Sequence, residues 1–203
     1  MKKLLLFIVL IVGLSFTTAS DGVSKKEKKS AAKFLKDAEK NILNSVKGLS
    51  EIQLKFKSAP DKWSVEDCIK HIAATEIALW KMIETNINSA VNPEKRADIK
   101  WTDADVIKNI EDRSMRKVKT SPNFEPENTG FKTMDEAITS FTGNRDKLIN
   151  YIKRTDADLR NHVATLPVGS FDCYQMVLFI GAHSNRHLQQ INEVKADPAF
   201  PKN

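Results

Sequence analysis

Cysteine is nearly absent. The chain has two in 203 residues, Cys68 and Cys173, too few for the disulfide framework that staples small secreted domains. Glycine and proline are also scarce, at seven each. That excludes collagen-like and low-complexity chains and leaves few turn residues for an all-β fold. No apolar run reaches the roughly 20 residues that cross a bilayer comfortably. The longest, residues 4–14, is interrupted by Gly13. The formal net charge of +6 is a mild excess for this length. No aromatic residues interleave with the lysines, so nucleic acid is not an expected partner.

What is present at the start has the layout of an export signal. Lys2 and Lys3 precede the apolar run, and Thr17, Thr18, Ala19 and Ser20 supply small residues after it. Residues 1–20 are therefore expected to be a signal peptide, cleaved near Ala19 or Ser20, with the product periplasmic or secreted. An uncleaved anchor is the alternative, and lipid attachment is not expected because no cysteine follows the run. Cleavage removes two lysines, leaving +4 and no stable membrane anchor. Residues 21–29, with Lys25, Lys26, Lys28 and Lys29, read as a solvated basic linker or the start of the first helix.

The remainder, roughly 180 residues, suits one domain with a substantial core. Its periodicity is helical, and β-branched alternation is rare. The expected fold is all-α, with four long helices over residues 30–197 and a fraying tail at 198–203. The first helix runs from residue 24 or 30 to 47, with Phe34, Leu35, Ala38, Ile42 and Val46 on one stripe and Gly48 as its stop. The second starts at Trp63-Ser64-Val65-Glu66-Asp67, a hydroxyl cap with an acid three residues on. It continues to about residue 86 on Val65, Ile69, Ile72, Leu79 and Ile83. A long insert, residues 88–132, holds a short helix from Thr102 or Asp103 and a stretch marked by Pro122 and Pro126. An insert of that length predicts a crossover. The third helix starts at Thr133, with Glu136 three residues on. A loop around Pro167, Val168 and Gly169 leads to the fourth, from Phe171 or Asp172 to Lys195.

Two of the four histidines, His183 and His187, sit one turn apart on the fourth helix. They share the apolar stripe of Met176, Ile180 and Ile191, so both rings are expected to point inward. A buried imidazole costs a few kcal/mol unless its nitrogens are satisfied, and a shared metal ion satisfies them. His71, at the edge of the second helix's stripe, is the third inward histidine. His162, in polar Arg160-Asn161-His162, is expected to be exposed.

These residues resemble a known family. Trp63-Ser64 followed by His71-Ile72, the segment Asn144-Arg145-Asp146-Lys147-Leu148, and His183-x-x-x-His187-Leu188-x-Gln190-Ile191 are similar to the DinB-like superfamily of four-helix metalloproteins. The likeness spans nearly the whole chain after the leader. It implies a four-helix bundle with crossover connections and a divalent metal ion, zinc or nickel, held by His71, His183 and His187. It also implies a homodimer as one state of assembly.

Three protein ligands leave a coordination position for water or a small-molecule substrate, as catalytic zinc sites do. Asp67, one turn before His71, is a candidate general base; its other reading is the acid of the helix cap. Arg145, on the third helix's stripe, is a candidate clamp for a carboxylate; its other reading is a structural ion pair. Cys68 is a conceivable fourth ligand, and Gln190 a candidate to orient a ligand. Offsets along the two histidine helices place Cys68 and Cys173 about 10 Å apart or more, beyond disulfide reach, so two free buried thiols are expected. The family includes thiol-dependent transferases, a maleylpyruvate isomerase and members called metal-dependent hydrolases. Export disfavours the thiol-transferase reading. Two readings stand: a metal- or ligand-binding protein without catalysis, and a metal-dependent hydrolase or transferase acting on a small envelope substrate.

Overall fold

The computed structural model describes residues 22–114 and 119–202; the expected signal peptide lies outside them. Among the described residues four long helices dominate: α1 (Lys25–Val46), α3 (Val65–Ile87), α5 (Met134–Arg154) and α6 (Cys173–Lys195). Two shorter ones, α2 (Glu51–Lys55) and α4 (Asp103–Glu111), lie in the connections. None of the described helices is long and apolar enough to cross a membrane.

The helices start where their caps dictate. Ser24, Ser50, Ser64, Thr102 and Thr133 each accept from the backbone three residues on, and the Glu, Gln or Asp there reaches back to the cap. Each box satisfies two amides that a helix start otherwise leaves bare. Asp172 caps α6 by accepting from Gln175 N at 2.7 Å. α1 therefore begins at Lys25, and the basic segment is its first turn. Lys28 turns inward to the Thr155 carbonyl and Asp156, while Lys25, Lys26 and Lys29 stay in solvent. α1 ends before Gly48, whose φ of 77° suits a residue without a Cβ.

α1 packs against α5 and α6, and α3 packs against the same two helices. The ring order is therefore α1, α6, α3, α5, so the α1–α3 and α5–α6 connections both cross a diagonal. Ala31, Leu35, Ala38 and Ile42 of α1, Ile69, Ile72 and Ile83 of α3, Phe141, Leu148 and Ile152 of α5, and Met176, Ile180 and Ile191 of α6 fill the centre. Each of the Leu, Ile, Phe and Met side chains contributes about 1.5–3 kcal/mol on burial. At Gly181 the Phe34 ring lies so near that a Cβ would sit 2.6 Å from it, which lets α1 and α6 approach closely.

Four expectations need correction. The chain is not purely helical: the segment around Pro167 folds as an antiparallel hairpin, β1 (Val163–Leu166) and β2 (Gly169–Asp172), paired Val163 to Asp172 and Leu166 to Gly169. Its two-residue turn, Pro167-Val168, and Gly169 at φ 140° make the reversal. α6 consequently starts at Cys173 rather than one or two residues earlier. His162 is buried, at 6% exposure, because the hairpin draws it under α6, where its carbonyl accepts from Cys173 N at 2.9 Å. The tail packs instead of fraying: Phe200 meets Phe56 edge-on at 5.5 Å, and the Pro201 carbonyl accepts from Gln53 Nε2 at 2.9 Å. Both cysteines are free and buried, as their offset requires.

Candidate metal centre

His71 arises from the second turn of α3, and His183 and His187 from adjoining turns of α6. Since α3 and α6 are neighbours in the ring, the three rings meet in the bundle. His71 Nε2 lies 3.3 Å from His183 Nε2, and His187 Nε2 lies 3.2 Å from the same atom. One nitrogen from each ring falls within 4.8 Å of the other two, and among the described residues no carboxylate or thiol joins the group. His71 and His187 are 5% and 7% exposed, and His183 is half-buried. Trp63 covers them from one side, 4.8 Å from the His71 ring and stacked on His187 at 5.9 Å. Phe179 stacks on His183 at 6.2 Å from the other.

The outward nitrogens decide what the inward ones can do. His71 Nδ1 is 2.8 Å from the Phe124 carbonyl, which can only accept, so Nδ1 carries the proton and Nε2 a lone pair. His187 Nδ1 is 3.0 Å from Gln190 Oε1, which imposes the same tautomer. His183 Nδ1 is 3.5 Å from Thr75 Oγ1, a longer contact; the Thr75 hydroxyl gives its proton to the His71 carbonyl at 2.8 Å and keeps its lone pairs for His183. Three lone pairs then converge with no donor among them.

A proton is a poor remedy. Burial pushes the His71 pKa below its ordinary value, against the Phe124 contact. Burial, then the charge of the neighbouring imidazoles, pushes His183 and His187 well below theirs. A divalent ion suits the donor set better. With metal–nitrogen bonds near 2.0–2.1 Å, a tetrahedral site separates its nitrogens by about 3.3 Å, close to the 3.3 and 3.2 Å that separate His183 Nε2 from the other two.

The other candidates lie elsewhere. Asp67 accepts from Ser64 N at 2.9 Å and pairs with Lys57 at 2.7 Å, so its carboxylate is occupied by the helix cap. Arg145 is fully buried and grips Glu76 with two bonds of 2.7 Å, while donating to the Leu35 carbonyl and Ser184 Oγ at 2.8 Å each. It is a tie between α1, α3, α5 and α6, its fork turned to Glu76. Cys68 is sealed in the core, where burial raises its thiol far above the ordinary value. The sequence left four contributors unread. Trp63 enters the sequence reading only through the helix start and the family motif, and Thr75 carries no mark of its own there. Phe124 acts through a carbonyl, which no sequence pattern marks. Arg113, which reaches Gln190, lies in the insert.

Known proteins share these features. Residues 35–191 match the DinB superfamily. YuaE of Bacillus subtilis (strain 168), described as an uncharacterized protein, is 26% identical over 153 residues, covering 75% of this chain and 89% of its own. The structure of YfiT from Bacillus subtilis, described as a probable metal-dependent hydrolase with an unusual four-helix bundle topology, superposes with a TM-score of 0.59 at 12% identity. That match covers 86% of this chain and 89% of the other. At that identity the likeness concerns the fold, and the mostly helical bundle agrees with it. With more than half of its length matched, the chain belongs to the DinB superfamily.

Proposed function

We propose that this protein is an exported binder of one divalent metal ion, zinc or nickel, with His71, His183 and His187 as ligands. The observation that carries it is the convergence of three Nε2 lone pairs whose outward nitrogens are tied to acceptors. Acceptor-bound outer nitrogens fix ring orientation and raise ligand basicity in metal sites generally. Export rests on the leader's residue pattern. Metal analysis of purified protein tests the site: about one ion per chain is expected in the wild type and a small fraction of that in His183→Ala. Equal content in both would sink the assignment.

A second reading adds chemistry to the same site. Three ligands leave a position open, and YfiT is described as a probable metal-dependent hydrolase. A bound divalent ion would supply Lewis acidity toward water or a substrate oxygen. Trp63 and Phe179 would exclude bulk water from either side, and Gln190 and Phe124 would hold the ligand rings. No carboxylate among the described residues stands with the histidines to take a proton, so the substrate or a group outside them would have to. Screening metal-loaded protein against ester, amide and thiol-conjugate panels tests this. Turnover abolished in His183→Ala supports it, and no turnover on any panel removes it.

A further inference from the structure

The hydrogen bond from His187 Nδ1 to Gln190 fixes the tautomer only while the amide presents its oxygen. An amide side chain has two faces of nearly equal shape, one accepting and one donating. Turned over, Gln190 would present NH₂ to His187. Nδ1 would then have to accept, the proton would move to Nε2, and that atom could no longer ligate. Something must hold the amide in the accepting orientation.

Arg113 is placed to do it. Its Nη1 lies 3.3 Å from Gln190 Oε1, and a guanidinium offers donors only. Arg113 is itself held by two short bonds to Glu193, from Nε at 2.8 Å and Nη2 at 2.7 Å. Glu193 lies three residues beyond Gln190 on α6, so both partners of Arg113 rise from one helix face. The chain Glu193, Arg113, Gln190, His187 thus alternates acceptor and donor without a break. Arg113 belongs to the insert, just past α4, whose C-terminal end α6 also grips: Asn185 reaches Glu111 Oε1 at 2.7 Å, and Gln189 reaches the Glu111 carbonyl at 3.0 Å.

We infer that Arg113 is a positioning residue that locks the Gln190 amide and, through it, the metal-binding tautomer of His187. This rests on the metal reading above. It makes a prediction opposite in sign to simple electrostatics. A cation near the centre repels a metal ion, so charge alone predicts tighter binding when Arg113 is removed. The lock predicts weaker binding.

Competition for Zn²⁺ against a chromophoric chelator measures the affinity of full-length variants. Arg113→Met should bind about tenfold more weakly, the lower end of what losing a ligand's outer partner costs. Arg113→Lys keeps a donor-only group and should recover part of that loss. Gln190→Glu is the decisive background, because a carboxylate accepts through either oxygen and needs no lock; there, Arg113→Met should no longer weaken binding. The visible spectrum of the Co²⁺ form should change in Arg113→Met and return in the Gln190→Glu, Arg113→Met double variant. Equal or tighter Zn²⁺ binding by Arg113→Met overturns the lock while leaving the metal site standing. An undiminished Arg113→Met effect in the Gln190→Glu background also overturns it, pointing to a structural role. Absence of Zn²⁺ binding by the wild type removes both inferences together.

Discussion

α3 and α6 carry two buried polar centres, and they are built oppositely. One is the tie of Glu76 and Ser184 to Arg145; the other is the cluster of His71, His183 and His187. In the first, every guanidinium nitrogen finds an acceptor, between them two carboxylate oxygens, a carbonyl and a hydroxyl. Burial raises the Glu76 pKa and Arg145 draws it back. In the second, the outward nitrogens find partners and the inward ones face each other as lone pairs. A buried polar group costs free energy unless it is satisfied. The Arg145 centre is complete within the chain, whereas the histidine centre is complete only with a cation from outside. Burial alone therefore does not separate a structural polar cluster from a functional one. The balance of donors and acceptors does.

The comparison breaks most sharply at Arg145. Arg145→Met leaves the Glu76 carboxylate buried without its partner, which should cost about 3–5 kcal/mol in chemical unfolding. Replacing both partners, Arg145→Met with Glu76→Leu, should recover much of that, because an apolar pair leaves no charge behind. Metal content per folded chain should stay at the wild-type level in either case. Loss of metal from a well-folded Arg145 variant would show that the two centres are one unit.

The histidine centre should respond to metal instead. Chelation should lower wild-type stability by up to about 4 kcal/mol, the mass-action gain at a thousandfold excess over Kd. His183→Ala should already lack that increment and show no further change with chelator. A chelator-dependent melting shift of wild-type size in His183→Ala would place the ion elsewhere.

Acidity separates the centres next, in chelated protein. The folded pKa values of the three histidines are depressed, chiefly by burial. Below the unfolded value of about 6.5, the unfolded chain binds more protons than the folded one, so stability rises with pH there. The contribution is full above about pH 6.5 and is lost as the pH falls toward the folded values. The slope per proton is at most about 1.4 kcal/mol per pH unit. Unfolding at pH 7.5 and 5.5 should show that loss in the wild type and a smaller one in His183→Ala. Equal slopes would mean that His183 titrates as a solvent-exposed imidazole.

Much of this was legible in the sequence, for identifiable reasons. The Ser64–Asp67 and Thr133–Glu136 spacings fix helix starts through local hydrogen bonds, and such bonds leave local signatures. The His183–His187 spacing and its apolar stripe set two rings inward, and His71 followed from its place on the neighbouring stripe. Features that depend on distant partners were not legible. Strands of four residues are too short to show a period, so the hairpin read as a loop. The tail read as frayed because Phe56 and Gln53, which hold it, are remote in sequence. Asp67 and Arg145 carried two readings each until their partners, Lys57 and Glu76, were seen. The Phe124 carbonyl leaves no trace in residue identity.

The weakest support of the histidine centre is Thr75, and it yields the smallest effect. Its oxygen is 3.5 Å from His183 Nδ1, at the outer limit of a hydrogen bond, whereas Gln190 and Phe124 stand at 3.0 and 2.8 Å. Its hydroxyl proton is already given to the His71 carbonyl. His183 is also more exposed than the other two rings, so its orientation rests less on this one contact. Thr75→Val should therefore weaken Zn²⁺ binding only about two- to threefold, below the 10–100-fold typical for a tight outer partner. Chelator competition measures it. A tenfold loss would mean that Thr75 closes on His183 when the ion binds, giving all three rings the same rigid outer support. A loss within the expected range leaves His183 as the ligand with the most freedom to turn.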